Sequence, residues 1–360
     1  MFRSTRAARW GALLTASALA LTACGGGGGG GGGDAGGTIR IAISSESLAT
    51  QLVRMAADLG MFKGEGLDVE LVNSNGGAQA VTAMLSGNVQ FAAAGAPEVI
   101  TSNAEGRDVK AIARLYSGLS GSVVLSKETA QRLGVRTDTP LEERVKAPDI
   151  PIGERLKDLD GLNIAFASAT SSLKSPVISS AESVGAKVNP VYMKQENMPA
   201  AMSAGAIDAL QASPPVSELG VLSAGGVMWI EGPTGQFPAE HTPTSSSTLM
   251  TTGEYIGKAP ETVKKVAAAI SKTAQLVMDD PAKAKANVRG RYGDVDAKIF
   301  DAAWEANNAS YTQPRVTAEQ FAHDITVLPK ELSTKEVLAL DPKDLIVPDE
   351  FNPTDPAPKS

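Results

Sequence analysis

The chain has 360 residues, of which 42% are hydrophobic, 4% aromatic and 20% charged, and its formal net charge is −7. An acidic balance excludes nucleic acid as a natural partner, and a single cysteine excludes an internal disulfide or a multi-cysteine metal site. The length suits a globular body of two domains.

The first residues read as an address. Arg3, Arg6 and Arg9 precede an apolar run from Trp10 to Ala20, too short to span a bilayer, which leads into Leu21, Thr22, Ala23 and Cys24. That ending resembles the bacterial lipobox, so residues 1–23 are expected to be a lipoprotein signal peptide and Cys24 the lipid attachment point holding the mature chain at a membrane surface. Its removal would take three arginines and no acid, changing the formal charge from −7 to −10. Glycines 25–33 and the following Asp34, Ala35, Gly36 and Gly37 complete a flexible tether over residues 24–37. No later run is apolar and long enough to cross a membrane.

From Thr38 the pattern alternates strand and helix. Ile39, Ile41 and Ile43 alternate as a strand does, and Ser44, Ser45, Glu46 and Ser47 follow as a polar loop. Leu52, Met55, Ala56 and Leu59 recur at helical spacing, Leu67 to Val72 form a second strand, and Asn73 to Gly77 a turn-rich loop. A helix then ends at Gly87, where positive φ lets the chain turn, and a strand at Val89 to Ala93 leads to Gly95, Ala96 and Pro97. A fourth strand spans Val109 to Tyr116. Such alternation predicts a parallel sheet with ligands at the carboxyl ends of its strands.

The arrangement occurs twice. Ala83 to Pro97 is echoed by Ala201 to Pro215, with Gly205 in the place of Gly87, and Ile39 to Ser45 by Leu162 to Ser168. Two matches in the same order predict a second lobe built like the first. Its reading runs from a strand at Val123 to Leu125, through a polar excursion over Arg132 to Leu156, to strands at Leu162 to Ala167, Val188 to Met193 and Val227 to Glu231, with a helix from Ser168 to Val184. Thr242 to Thr251 returns to the first lobe. Pro260 then opens a helix striped by Val263, Val266, Ile270, Ala274 and Val277, and the Asp- and Pro-rich residues 341–360 read as an extended tail.

The phrases from Leu59 to Gly77 and from Leu85 to Ile100 resemble the substrate-binding proteins of the nitrate, sulfonate, taurine and thiamine-precursor uptake family, with Gln90 standing where that family usually has aspartate. The resemblance covers about residues 38–275. It implies an α/β, type II periplasmic-binding-protein fold, two α/β lobes joined by two crossover segments with the ligand cleft between them. On this reading residues 38–118 and 245–340 form lobe 1 and residues 119–244 form lobe 2. It implies an ABC importer's binding subunit, a monomer with no cofactor, that closes over a small solute and delivers it to a membrane permease.

The expected ligand-binding residues are Ser44, Ser45, Glu46, Asn75, Gly76, Gly95, Ala96, Pro97 and Tyr116 in the first lobe, and Ser168, Thr170, Ser171, Ser172, Ser213 and Pro214 in the second. Hydroxyls beside free N–H groups at a helix start suit a sulfonate or carboxylate, and no cluster of lysine or arginine marks these loops. Two other readings stand beside this one: a biosynthetic enzyme on the same fold, of the pyrimidine-precursor or menaquinone-pathway type, and a ligand-sensing partner of a membrane receptor. The enzyme reading finds no catalytic residues to name: His241 and His323 lack metal-ligand spacing, and no nucleophile elbow or phosphate-binding loop is present.

Overall fold

The computed structural model describes residues 37–74, 76–167, 169, 171 and 173–357. The signal, Cys24 and the tether as far as Gly36 lie outside them, as do Asn75, Ser168, Thr170 and Ser172.

Ten strands form two sheets of five: β1 (Ile39–Ile43), β2 (Val69–Asn73), β3 (Phe91–Ala94), β4 (Val109–Ser117), β5 (Ser122–Leu125), β6 (Asn163–Phe166), β7 (Asn189–Tyr192), β8 (Ala209–Ala212), β9 (Val227–Ile230) and β10 (Ser245–Thr252). The first sheet runs β2-β1-β3-β10-β4 and the second β7-β6-β8-β5-β9. In each, the first three strands are parallel and one antiparallel strand separates them from the last. The duplication read from the repeats is therefore present in the strand order itself. Helices cover both faces, so the inner strands are sealed on both sides and read as continuous apolar runs such as Phe91–Ala94.

The repeated glycines act as expected. Gly87 and Gly205 have φ of +78° and +71°, each just past a helix that feeds a strand. The expected helix from Ser168 is shorter: it spans Lys174–Ser183. Serine and threonine side chains compete for nearby backbone groups, as Ser171 Oγ does by accepting the Leu173 N–H at 3.3 Å, and so keep the preceding loop out of the helix.

Two segments cross between the sheets, 118–121 and 231–244, and they are bonded to each other. Gly118 N–H donates to Thr244 O at 2.7 Å, Ser120 N–H to Ser246 Oγ at 2.8 Å, and Ser246 Oγ to Gly118 O at 2.8 Å. The Pro260–Asp279 helix buries its stripe in the first lobe's core. The Ala297–Asn307 helix serves both lobes: Phe300 and Trp304 enter the first lobe's core and Ile299 the second's.

Residues 341–357 do not run free. They make short turns at Pro342–Leu345 and Asp349–Phe351, bury Leu345, Val347 and Phe351, and bond Val347 N–H to Ala111 O at 3.0 Å alongside β4. Apolar side chains at these three positions, spaced among the prolines, are what turns an extended segment into a strap.

Candidate functional site

The carboxyl ends of the parallel strands in both sheets face one another, and there the loops meet. Leu48 N–H, in the loop after β1, donates to Pro214 O, in the loop after β8, at 3.2 Å. The β1 loop is held from behind. Arg54, almost fully buried on the Gln51–Asp58 helix, donates through Nη2 to Ser45 O at 3.3 Å, Glu46 Oε1 at 3.0 Å and Asn73 Oδ1 at 2.9 Å, tying the ends of β1 and β2 together. Burial lowers the Arg54 pKa from its ordinary value, yet a guanidinium remains charged. Ser45 and Glu46 are exposed at the loop tip, and Ser44 is half-buried with its N–H on Ala93 O at 3.0 Å.

Two helices start on this edge of the first lobe, Gly77–Leu85 behind Gly76 and Ala96–Ala104 behind Gly95, with Pro97 in the first turn of the second. Glu98, one residue on from Pro97, lies against Gly77 so closely that a Cβ there would fall 1.9 Å from its Oε1. Burial pushes the Glu98 carboxyl up to about 7, and backbone N–H groups at the helix start oppose the shift. A groove of about 500 Å³ opens at this point, lined by Ala78, Pro97, Glu98, Thr101, Glu331 and Val337 among others.

In the second lobe Ser213 Oγ hydrogen-bonds Ser120 Oγ at 2.9 Å, which fixes the β8 loop to the first crossing segment. Ser171 precedes the Lys174–Ser183 helix, and Lys174 folds back to donate to Ala169 O at 3.1 Å and to pair with Glu331 Oε1 at 2.8 Å. This pair, with Ser175 Oγ donating to Val327 O at 2.8 Å, joins the second lobe to the strap side of the first.

The structure thus gathers Ser44, Ser45, Glu46, Gly76, Gly95, Ala96 and Pro97 on one side of the cleft, and Ser171, Ser213 and Pro214 on the other. Tyr116 lies at the carboxyl end of β4, but its side chain turns into the core and not into the cleft. It has no exposed surface, donates to Asn307 Oδ1, and packs edge-on against Tyr311 with ring centroids 5.7 Å apart. A tyrosine near a strand end is drawn into the core when a second polar group inside can take its hydroxyl. The sequence reading found no basic cluster, and missed that Arg54 and Lys174 stand singly behind the two loops. Their signal was position: each lies within one or two helical turns of a serine-rich loop. Among the described residues no group of His, Cys, Asp or Glu could hold a metal ion, and no helix is long and apolar enough to cross a membrane.

Two sheets of one strand order, joined by two crossing segments and meeting at the carboxyl ends of their parallel strands, constitute the fold of periplasmic binding proteins. Solved structures agree. The chain superposes on the periplasmic aliphatic sulphonate binding protein SsuA of Escherichia coli with a TM-score of 0.60 at 17% identity, covering 87% of this chain and 98% of that one. For the alkanesulfonate-binding protein SsuA of Xanthomonas axonopodis pv. citri, bound to MOPS, the values are 0.61, 14%, 83% and 97%. For the periplasmic nitrate-binding protein NrtA of Synechocystis PCC 6803 they are 0.59, 14%, 89% and 92%. No curated protein matches by sequence. The NMT1/THI5-like family matches residues 51–134 and 131–284, and the chain belongs to that family.

Proposed function

We propose that this protein is an extracytoplasmic solute-binding subunit of an ABC importer, anchored by lipid on Cys24, that captures a small organic solute between its lobes and hands it to a membrane permease. The observation that carries this reading is the bond from Leu48 N–H to Pro214 O. It joins the loop after β1 in one sheet to the loop after β8 in the other at the carboxyl edge, where parallel α/β sheets hold their ligands. A solute that bridges the loops stabilises the closed arrangement through contacts the open one lacks, and closure is what a permease can sense.

The lining differs between lobes. The second lobe offers hydroxyls and the Lys174 ammonium, which suit a sulfonate, a carboxylate or another hydrogen-bond acceptor. The first offers Glu98 in its groove, which repels an anion when ionised and favours a donor. A polar solute carrying both kinds of group fits both sides.

The test is a thermal-shift screen of the chain against taurine, alkanesulfonates, nitrate, carboxylates and small amides, followed by small-angle scattering. A true ligand raises the unfolding temperature with its concentration and compacts the protein. Turnover of an added compound without compaction would move the assignment to an enzyme.

A further inference from the structure

A deeply buried carboxamide in the second lobe lacks a partner among the described residues. Gln211, in β8, is 1% exposed, and among those residues neither its Nε2 nor its Oε1 finds a hydrogen-bond partner. Side chains alternate along β8, with Leu210 and Ala212 packed toward the Val216–Ser223 helix and Ala209 toward the Lys174–Ser183 helix, so Gln211 faces the latter. Its carboxamide rests on the crossing segment: a Cβ added at Gly121 would lie 2.1 Å from Gln211 Nε2 and 3.2 Å from Leu173 Cδ1. Leu173 is the residue immediately before the Lys174–Ser183 helix, where the hydroxyl-rich loop enters it. Two residues beyond Gln211, Ser213 is tied to Ser120, and Pro214 carries the bond to Leu48. The unpaired carboxamide therefore packs against the first crossing segment and the residue before the Lys174–Ser183 helix, on the strand that leads into the loop touching the other lobe.

A buried amide without partners destabilises a fold, and an apolar side chain of the same length would sit there at lower cost. Its presence is explained if its partner arrives from outside. Resting on the solute-binding reading above, we propose that Gln211 is the hydrogen-bonding partner of the solute on the cleft floor, and that this solute carries an adjacent N–H and C=O, as in an amide, lactam or ureide. A carboxamide presents one planar edge with donor and acceptor side by side, which such a solute satisfies with two parallel hydrogen bonds. Sulfonate and nitrate offer acceptors only and leave Oε1 unpaired. The solute meets the carboxamide while the lobes are apart, and the Leu48–Pro214 contact seals it. Gly121 belongs to the site because any side chain there would take the carboxamide's place.

The experiment compares the full chain with its Gln211→Met variant, using nicotinamide, hydantoin and allantoin as probes and ethanesulfonate, methanesulfonate and nitrate as acceptor-only controls. The expected result is a concentration-dependent thermal shift with at least one amide-bearing probe, an unliganded Gln211→Met unfolding temperature at or above that of wild type, and a loss of at least tenfold in the variant's affinity for that probe. If Gln211→Met proves unstable, Gln211→Leu, which also removes both polar atoms, is expected to show the same loss. Failure of every amide-bearing probe, or affinity within twofold of wild type in the variant, overturns the proposal. Should an acceptor-only control bind and compact the protein in that case, the solute-binding reading survives while this one does not.

Discussion

Glu218 lies in the first turn of the Val216–Ser223 helix, 4% exposed, with Ser217 Oγ donating to its carboxylate at 2.7 Å. Burial pushes its pKa up to about 7, and Ser217 and the helix N–H groups only partly counter it. A carboxyl whose pKa is higher in the folded chain costs nothing while both states are protonated. As pH rises above about 4.5 the unfolded chain ionises first, so stability falls until pH about 7 and then levels. Glu218→Gln removes that loss, and the variant should exceed wild type by about 1–3 kcal/mol at pH 8 and by little at pH 4.5. Urea unfolding at the two pH values measures this, and a difference independent of pH would count against it. Tyr116 gives a second residue-scale expectation: Tyr116→Phe leaves the Asn307 carboxamide oxygen without its donor and should cost about 1–2 kcal/mol, read as a lower urea midpoint with an unchanged slope. Neither Glu218 nor the depth of Tyr116 was legible in the sequence, because burial of a polar side chain depends on partners from distant segments.

At the scale of elements, the strap after Leu340 carries the clearest consequence. Leu345 enters one core cluster of the first lobe, and Val347 and Phe351 enter the other, so the segment holds both faces of the first sheet. Three such side chains together stabilise by roughly 5 kcal/mol, and a chain ending at residue 340 should unfold at a markedly lower temperature. An unfolding temperature within a degree or two of wild type would show the strap to be dispensable. The strands were legible because their apolar runs and the glycines at Gly87 and Gly205 act locally. The strap was not: its prolines and aspartates mark extended backbone, and the three apolar residues among them have no periodicity to announce a core. The Lys174–Ser183 helix was placed correctly but begun too early, since hydroxyl residues cap and loop as readily as they start a helix.

For the molecule as a whole, the bonds that join the lobes include Leu48–Pro214, Ser175–Val327 and the ion pairs Lys174–Glu331, Lys330–Glu182 and Lys298–Glu142. Lys174 pairs with Glu331 across the lobes, and Glu331 is half exposed, so the pair contributes about 1 kcal/mol. Lys174→Ala should shift the ligand-free population toward the open form. Small-angle scattering would then give a larger radius of gyration than wild type, and ligand affinity should fall about fivefold. An unchanged radius would mean that the pair follows closure and does not hold it. The two-lobed plan was legible from the repeats, because duplicated strands carry duplicated turns. Which side chains close the cleft was not, since Leu48, Pro214, Lys174 and Glu331 come from segments far apart in the chain.

The strand order also sets the sequence in which the two halves can be finished as the chain is made. All strands of the second sheet lie between residues 122 and 230, so that sheet has every strand it needs once those residues are available. The first sheet does not: among the described strands β4 pairs with β10, and β3 reaches β4 through it. The half begun first is therefore completed last, after residues 245–252 thread between two strands made long before. Long-range pairing of this kind is slow, and an unfilled slot between strands exposes paired-edge groups to neighbouring chains. Newly made chains consequently spend their vulnerable interval with a complete second sheet and an open first one, and a chain halted just short of β10 should accumulate in that half-built form.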